Sequence, residues 1–314
     1  MPFSEAEAAA CRRLVELALE EDLGGIGDIT SRAVIPPKLE GRAVFVARAP
    51  GVLAGLPAAQ MVFQTAHTPL VKFEALLEDG ARVASGDRLA TVSGLLEFIL
   101  TGERTALNFL THMSGIATLT RKYADAIAGL PCQILDTRKT LPGWRLLEKY
   151  TVRQGGGHNH RMGLFDGILI KDNHLAAWKG KPALQSLLLA IRSHHPLMVM
   201  FSKTQSQIPS SGVLHEAHSL PLEIEVDNLE QLPWALSCHP DMVLLDNMPA
   251  EQLRQAVERR NALGSKTLLE ASGGVTLETV RAIAETGVDR ISIGALTHSA
   301  PALDIALDLL IDER

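Results

Sequence analysis

Hydrophobic and polar residues follow a mixed helical and strand-like pattern over the first third of the chain. Apolar residues recur on one helical face from Glu5 to Glu20, and the glycine-rich run 24–28 ends this predicted helix. Between Gly41 and Leu96, short strand-like runs alternate with glycine-containing turns. From Leu96 to about Ala128, apolar residues at helical spacing predict one long helix. These elements predict an α+β first domain.

A different pattern begins after Pro131, where apolar strand-like runs end repeatedly in polar or glycine residues and alternate with helix-like stretches. The runs are Gln133–Leu135, Ile168–Ile170, Leu222–Val226, Met242–Leu245, Thr267–Glu270 and Ile291–Ile293. Repeated units of strand, polar end and helix are typical of a parallel β/α barrel or a doubly wound sheet. Because the loops after such strands carry the active site, the polar ends supply the candidate site residues.

One repeat, from Ile168 to Leu222, is longer than the others. Within it, the stretch from His195 to Leu220 is rich in proline, histidine and serine and contains a short apolar segment, Met198–Phe201. Long irregular connections inside a compact domain are uncommon. We therefore expect an insertion here, either a surface loop or an extra strand.

Composition and charge exclude several classes of protein. Hydrophobic residues make up 46% of the 314 residues and charged residues 21%, as in globular proteins rather than disordered or fibrous ones. No apolar run reaches transmembrane length and no secretory signal is visible, so we expect no membrane partner. The net charge of −6 argues against nucleic-acid binding. The three cysteines, Cys11, Cys132 and Cys238, have no disulfide or zinc spacing, which favours a cytoplasmic location.

Cationic residues cluster at the first strand ends of this otherwise acidic chain. Arg138 and Lys139 follow one strand, Lys171 follows the next, and Arg161 comes directly after the glycine- and histidine-rich run 155–160. Arginine binds carboxylates or phosphates through two parallel hydrogen bonds, and lysine adds a point charge. The cluster predicts a pocket for a small molecule with several negative charges. Solvated surface charge is the alternative, and it is weakened because the charges end apolar strands in several repeats.

Three histidines accompany these cations but do not form a recognisable metal site. The spacing of His158, His160 and His174 does not match HExxH or any standard zinc motif. Arg161 and Lys171 beside them would repel a cation. We therefore expect the histidines to donate hydrogen bonds to an anion, as the backbone N–H groups of the preceding triple glycine could also do.

Acidic and glycine residues occupy the later strand ends. The acids are Glu225, Asp227, Asp246 and Glu270. They could hold Mg²⁺ or hydroxyl groups, or stabilise a developing positive charge, while ion pairing with Arg138 and Lys171 is the competing interpretation. The stretches Ser272–Gly274 and Gly294–Ala295 follow the last two strands, where β/α barrels often bind phosphate. Plain turns are the alternative for either glycine set.

In combination, these motifs resemble the quinolinate phosphoribosyltransferase family. The resemblance rests on Gly27–Thr30, Gly51–Gly55, Gly102–Asn108, Asp136–Gly143, Gly155–Leu164, Ile170–His174, Glu225–Asp227, Leu245–Asn247, Ser272–Gly274 and Gly294–Ser299. It runs nearly end to end, with many separate motifs in the same order. The departure is the stretch from His195 to Leu220, which is longer than expected for the family and contains none of the matched residues.

The resemblance implies an α/β protein in which an N-terminal α+β sandwich domain (residues 1–115) precedes an open parallel β/α barrel (116–296). It also implies a C-terminal helix (297–314) that packs back on the N-terminal domain. The implied assembly is an obligate homodimer with shared active sites, alone or within a higher assembly. The implied reaction joins quinolinate to phosphoribosyl pyrophosphate with loss of CO₂, giving nicotinate mononucleotide and pyrophosphate for NAD biosynthesis.

Residue roles follow from the same resemblance. Arg104, Arg138, His160 and Arg161 would bind the quinolinate carboxylates. Lys139 and Lys171 would contact the pyrophosphate of the second substrate, and Glu225 and Asp246 would serve its ribose and Mg²⁺, directly or through water. Ser272, Gly273, Gly294 and His298 would hold the 5′-phosphate. Among these, Lys139, Lys171, Glu225 and Asp246 are the predicted catalytic residues, and no organic cofactor is expected.

Two alternatives stay open at this point. A relative of the same fold that is associated with molybdenum uptake shares several motifs, but the intact sequence Lys171–His174 argues for the quinolinate enzyme. A phosphate-binding sensor without catalytic activity would have no use for Glu225 and Asp246 beside a complete set of cations.

Overall fold

The structure is a computed structural model that describes residues 2–67, 70–178 and 220–310. The chain divides into two compact units. The first unit combines residues 1–128, 133–160 and 293–314, and the second combines residues 129–132 and 161–292. The chain therefore leaves the first unit and returns to it twice.

Helices and strands alternate along most of the described chain. The helices are α1 (Glu5–Leu23), α2 (Ile29–Val34), α3 (Leu56–His67), α4 (Leu96–Ala126), α5 (Arg145–Gln154), α6 (Asp172–Trp178), α7 (Leu232–Ser237), α8 (Ala250–Ala262), α9 (Val280–Ala284) and α10 (Ala295–His298). The strands are β1 (Glu40–Ala47), β2 (Gly51–Val52), β3 (Val71–Ala75), β4 (Arg82–Val83), β5 (Arg88–Leu95), β6 (Gln133–Leu135), β7 (Ile168–Ile170), β8 (Leu222–Val226), β9 (Met242–Asp246), β10 (Leu268–Ser272), β11 (Arg290–Ser292) and β12 (Ile305–Leu309). Within the described residues, no helix is both long enough and apolar enough to cross a membrane.

Helix α1 begins at a capping box that the sequence encodes locally. The Ser4 hydroxyl accepts a hydrogen bond from the Glu7 N–H, and the Glu7 carboxylate accepts one from the Ser4 N–H. These bonds satisfy N–H groups that the first helical turn leaves without partners. The helix ends at Gly24, whose φ of +51° favours glycine. The predicted helix is confirmed and extends to Leu23.

An antiparallel sheet organises the first unit, with the strand order β12-β1-β5-β3. Its core contains the fully buried Phe45 of β1, Phe63 of α3 and Phe109 of α4. The rings of Phe45 and Phe63 meet edge to face, with centroids 6.3 Å apart. Buried aromatic pairs in this arrangement add attraction beyond the area that they bury. The long helix predicted from Leu96 is present as α4, and about half of its residues are buried.

The C-terminal segment corrects one prediction. Instead of a helix, residues 305–309 form strand β12, which pairs antiparallel with β1 from Ala43↔Leu309 to Ala47↔Ile305. The alternate positions Ile305, Leu307 and Leu309 are all apolar, which fits one face of a strand. Pairing with the edge of β1 satisfies its main-chain groups, so a non-local contact outweighs helix propensity.

The described part of the second unit contains five parallel strands in the order β11-β10-β9-β8-β7. Consecutive strands are always neighbours, and helices α7, α8 and α9 connect the last four. A doubly wound sheet would reverse this order at a switch point, whereas a β/α barrel keeps it. Together with the small sheet of the first unit, this arrangement confirms the predicted α/β fold class.

The borders of the two units differ from the predicted domain borders. The predicted border after residue 115 lies inside helix α4, and residues 133–160 belong to the first unit although they follow it. The insertion predicted from His195 to Leu220 lies outside the described residues, except for Leu220 itself.

Candidate active site

Predicted site residues lie directly after strand β6 in the first unit. Ile134 and Leu135 of this strand are buried, so the chain reaches the surface at Arg138 and Lys139. Arg138 is half-buried, and its Nε is buried without a hydrogen bond to any described residue. A buried guanidinium nitrogen in this state favours an anionic ligand. Arg138 therefore differs from a solvated surface charge, whereas the Lys139 side chain is exposed.

Two further predicted residues, Gly294 and His298, meet Lys139 within the first unit. A Cβ atom placed on Gly294 would lie 2.9 Å from Lys139 Cδ and 3.1 Å from His298 Nε2. The hydroxyl of Thr297 donates to the carbonyl of Lys139 at 2.7 Å, which ties helix α10 to the loop after β6. The structure thus brings Lys139, Gly294 and His298 together, and a larger residue at Gly294 would displace the other two side chains.

Arg104 lies on helix α4 with an exposed side chain. It forms no hydrogen bond or ion pair with another described residue, although its charge lowers the pKa of the neighbouring Glu103 against the stronger, raising effect of burial. An exposed arginine in this state is accessible to a ligand or a partner.

A buried polar network precedes His160, and one of its members was not predicted from the sequence. Lys149 of helix α5 and Asp136 form an ion pair in which both side chains are fully buried. Burial raises the pKa of the Asp136 carboxyl, and the charge of Lys149 opposes this rise. Asn159 Nδ2 donates to Asp136 Oδ2 at 2.6 Å. No motif or period distinguishes Lys149 from an ordinary helix-surface lysine, so only the packing of α5 identifies it.

The triple glycine does not present its N–H groups to an anion. The N–H groups of residues 155–157 donate to carbonyls of Thr151, Arg153 and Val152 at the end of α5, at 2.9 to 3.0 Å. A Cβ on Gly155 would lie 2.5 Å from the carbonyl oxygen of Ala117. Gly155 therefore allows close packing of α5 on α4. The suggestion that the triple glycine presents N–H groups to an anion is wrong.

In the second unit, Arg161 is held by its own loop. Its Nη1 donates to the carbonyl of Gly167 at 3.0 Å. The Asp166 carboxylate accepts from the N–H groups of Met162 and Gly163, at 2.6 and 2.8 Å. A loop closed in this way fixes the orientation of the half-buried arginine, which a planar anionic ligand requires.

Lys171 and Glu225 form an ion pair at the ends of adjacent strands β7 and β8. The distance from Lys171 Nζ to Glu225 Oε2 is 2.5 Å, and the side chains are 45% and 8% exposed. The lysine is therefore accessible to a ligand while the carboxylate lies beneath it. The competing ion-pair interpretation holds for these two residues, and it leaves the lysine charge at the surface.

The ends of strands β9 and β10 interlock. Asn247 Nδ2 donates to Asp246 Oδ2 at 2.8 Å, and the Asn247 N–H donates to the carbonyl of Ser272 at 2.8 Å. Gly273, with a φ of +94°, lies so close that a Cβ would be 2.1 Å from Asn247 Oδ1. Asp246, Ser272 and Gly273 thus form one cluster. The positioning role of Asn247 was not predicted from the sequence, although its motif contains the residue.

Glu270 belongs to the strand packing of the second unit. It is fully buried and pairs with Arg290 of the neighbouring strand, at 2.9 Å from Arg290 Nε. A cavity of about 820 Å³ lies at the opposite, amino ends of β9 and β10, beside Pro240 and Thr267. It is therefore remote from Asp246 and the carboxyl ends of the same strands.

Comparison with known proteins adds to this geometry. Residues 28–114 match the sequence model of the N-terminal domain of quinolinate phosphoribosyl transferase, and residues 116–308 match that of its C-terminal domain. The chain belongs to the quinolinate phosphoribosyltransferase family. The two matches meet inside helix α4, at residues 114 and 116.

Two relatives from the same family match this chain over nearly its full length. It is 44% identical to the carboxylating nicotinate-nucleotide pyrophosphorylase of Mycobacterium leprae over 98% of this chain and 100% of the relative. It is 41% identical to the decarboxylating quinolinate phosphoribosyltransferase 1b of Nicotiana tabacum, over 94% of this chain and 81% of the relative.

Solved structures of the family share the fold. The nicotinate-nucleotide pyrophosphorylase of Ehrlichia chaffeensis superposes with a TM-score of 0.80 at 35% identity, over 99% of this chain and 100% of the other. The corresponding protein of Francisella tularensis gives a TM-score of 0.79 at 33% identity, over 96% and 97%. These matches cover nearly all of this chain, so both of its units have counterparts in solved structures of the family.

Proposed function

We propose that the chain is a carboxylating nicotinate-nucleotide pyrophosphorylase, a pentosyltransferase of NAD biosynthesis. It transfers the phosphoribosyl group of phosphoribosyl pyrophosphate to quinolinate and releases CO₂ and pyrophosphate, giving nicotinate mononucleotide. The observation that carries this proposal is the near full-length family match. The cations and acids at the strand ends of this chain supply the chemistry that the reaction needs.

Quinolinate carries two carboxylates, and four residues are assigned to them: Arg104, Arg138, His160 and Arg161. The buried Nε of Arg138 supports this assignment, because a carboxylate would give that nitrogen a partner. Arg104 is exposed and Arg161 is held by its own loop, and the guanidinium charges of both are assigned to the quinolinate carboxylates. Arginine suits a planar carboxylate because its N–H groups match the two oxygens.

The phosphoribosyl substrate is assigned to the remaining residues. The cluster of Lys139, Gly294 and His298 supports binding of phosphate groups, because it places an exposed lysine and an exposed histidine beside a half-buried glycine. Lys171 is assigned to the pyrophosphate, and the interlocked Ser272 and Gly273 to the 5′-phosphate. A lysine side chain 45% exposed above a buried carboxylate can exchange its contact for a substrate phosphate.

The reaction proceeds by breaking the bond between ribose C1 and the pyrophosphate oxygen, with the electron pair leaving on pyrophosphate. Positive charge develops at C1, and the carboxylates of Glu225 and Asp246 stabilise it electrostatically. The quinolinate nitrogen forms the new bond to C1 and becomes cationic. The carbon–carbon bond to the adjacent carboxylate then breaks, its electron pair stays on the ring carbon beside the cationic nitrogen, and a proton replaces the CO₂.

Of the two acids assigned to Mg²⁺, Asp246 is the better fit. Its Oδ2 accepts from Asn247, whereas Oδ1 has no hydrogen bond within the described residues and can face a cation or its bound water. Glu225 already pairs with Lys171, so it would serve Mg²⁺ only by sharing its carboxylate. When bound, Mg²⁺ would neutralise phosphate charge, since it usually joins one or two carboxylates to substrate phosphates.

The assembly belongs to the same proposal: a homodimer whose partner supplies Arg104 to each site, with the cytoplasm as its compartment. The exposed position of Arg104 on α4 supports a role outside its own chain. Co-expressing the inactive variants Arg104→Ala and Lys139→Ala tests it. Random mixing makes half of the dimers mixed, each with one intact site, so roughly a quarter of the wild-type activity should return. No recovery in a sample that contains mixed dimers would refute shared sites.

The activity is tested by incubating the purified chain with quinolinate, phosphoribosyl pyrophosphate and Mg²⁺. Pyrophosphate and CO₂ should form in equal amounts, and both should require quinolinate. Nicotinate, which has one carboxylate fewer, should be a very poor substrate because cations of the site are left unpaired. Comparable catalytic efficiency with nicotinate, or pyrophosphate without CO₂, would contradict the proposal.

A further inference from the structure

We propose that the buried ion pair of Asp136 and Lys149, with Asn159, is a positioning element that fixes the main chain at His160 and thereby sets the affinity for quinolinate. The inference rests on the proposed function, which assigns His160 to quinolinate. It gives a role to Lys149 and Asn159, which are not assigned to substrate contact. We call these three residues, Asp136, Lys149 and Asn159, the His160 brace.

The main-chain polar groups of His160 are both bound by the ion pair. Its N–H donates to Asp136 Oδ1 at 2.9 Å, and its carbonyl accepts from Lys149 Nζ at 2.9 Å. Asn159 Nδ2 donates to Asp136 Oδ2 at 2.6 Å and to the carbonyl of Lys149 at 2.8 Å. Each oxygen of the Asp136 carboxylate thus holds one of the two residues at positions 159 and 160.

The brace continues a chain that is rich in glycine and is fixed by main-chain hydrogen bonds as far as His158. The run 155–157 is all glycine, and Gly156 has a φ of +89°. The His158 N–H donates to the carbonyl of Ile134 at 2.8 Å, and the His158 carbonyl accepts from the Asp136 N–H at 3.1 Å. The main chain is therefore held up to residue 158, and the brace extends this hold to residues 159 and 160. Arg153 Nη1 adds a contact to Asn159 Oδ1 at 2.7 Å, so the amide of Asn159 is held at both ends.

Fold stability alone is a weak reason for this arrangement. Both side chains of the ion pair are fully buried. Removing two charges from water offsets much of their mutual attraction, and well-packed apolar residues often stabilise a fold as well or better. A fully satisfied polar network has one advantage over such residues, because its directional bonds select a single geometry. A ligand-binding loop needs that property.

The expected effect follows from the sensitivity of binding and catalysis to position. A displacement of about 1 Å can lower activity by up to roughly a hundredfold. Lys149→Met removes the ammonium and keeps a similar volume, so the carbonyl of His160 loses its partner. Asn159→Leu removes the amide that joins Asp136 to the carbonyl of Lys149. Each variant should raise the KM and the Kd for quinolinate about tenfold or more, with less than a threefold change in the KM for phosphoribosyl pyrophosphate.

Ser114→Ala is the matched control. The fully buried Ser114 hydroxyl bonds the N–H and the carbonyl of Ala54, at 2.9 and 3.0 Å, so its loss also removes buried hydrogen bonds in the first unit. It contacts no member of the His160 brace in these bonds. After urea denaturation has ranked the stabilities of the variants, quinolinate binding is measured by calorimetry and both KM values by steady-state kinetics.

The outcomes separate this inference from the proposed function. Weaker quinolinate binding in Lys149→Met and Asn159→Leu, but not in Ser114→Ala, supports the brace. If His160→Ala weakens quinolinate binding while Asn159→Leu and a folded Lys149→Met do not, only the brace is overturned. If His160→Ala leaves quinolinate binding unchanged, the assignment of His160 fails and the brace with it. Loss of folding in both brace variants would show a purely structural role and overturn the inference.

Discussion

Replacing Gly273 by alanine is the sharpest structural test in the second unit. Gly273 has a φ of +94°, and an added Cβ would lie 2.1 Å from Asn247 Oδ1 and 3.1 Å from Asn247 N. The main chain of Asn247 is held by its bond to the carbonyl of Ser272, at 2.8 Å. The Asn247 side chain must therefore rotate away, and its 2.8 Å hydrogen bond to Asp246 is lost.

The expected loss of unfolding free energy in Gly273→Ala has two parts. Alanine at this positive φ costs about 1–3 kcal/mol in backbone strain. The lost hydrogen bond adds about 1 kcal/mol, less than is usual for a charged acceptor because Asn247 is exposed. The expected loss of unfolding free energy is therefore roughly 2–4 kcal/mol.

Gly274→Ala is the control for strain alone. Gly274 also has a positive φ, +59°, but a Cβ there would meet no atom within 4 Å. Its substitution should cost only about 1–2 kcal/mol. Urea denaturation of both variants, followed by circular dichroism, measures the difference in unfolding free energy.

The double variant Gly273→Ala/Asn247→Ala completes the test. It removes the steric conflict, so part of the stability lost in Gly273→Ala should return. The reasoning is refuted if Gly273→Ala is no less stable than Gly274→Ala, or if removing the Asn247 side chain restores nothing.

Three further predictions concern Asp246, Glu7 and the cysteines. Asp246→Asn keeps the shape of the side chain but removes its charge, so kcat should fall about a hundredfold with nearly unchanged quinolinate binding; loss of that binding at an unchanged kcat would contradict the assigned role. Burial by itself raises the pKa of Glu7, but the hydrogen bonds from Arg153 and the Ser4 backbone outweigh it and hold that pKa below its ordinary 4.5. The stability that ionised Glu7 contributes is therefore present above pH 4.5 and lost as the pH falls through its lowered folded-state pKa. The advantage of the wild type over Glu7→Gln should shrink on acidification, and a pH-independent difference in urea midpoints would refute it. Burial raises the pKa of the Cys11 thiol to about 12, so iodoacetamide at pH 8 should label the half-buried Cys132 before Cys11; mass spectrometry checks the order.

The local pattern of residues was sufficient to predict most elements. The apolar face of α1 and the length of α4 are encoded by periods that neighbouring residues maintain among themselves. The strands of the second unit are short apolar runs with polar ends, and β7 to β11 occur where those runs were found. The candidate residues at the strand ends could be named for the same reason, because a parallel strand places its following residues at the functional edge.

Residues 305–309 show where local pattern stops being decisive. Their composition is compatible with a helix, and their pairing with β1 depends on a strand more than 250 residues earlier in the chain. Sequence periodicity contains no information about which distant edge is available for pairing. The strand therefore had to be observed.

Sequence alone determined the α/β class, the repeated strands and the charged residues at their ends, because these depend on periods and motifs within a few neighbouring residues. Only the tertiary structure decided how each charge is used. Lys149 and Lys171 are both lysines beside acids in the fold, yet one is fully buried against Asp136 and the other is 45% exposed above Glu225. Burial changes what a charge contributes, since a charge removed from water is very costly unless a counter-charge and hydrogen bonds satisfy it. That difference arises from packing between elements distant in the chain.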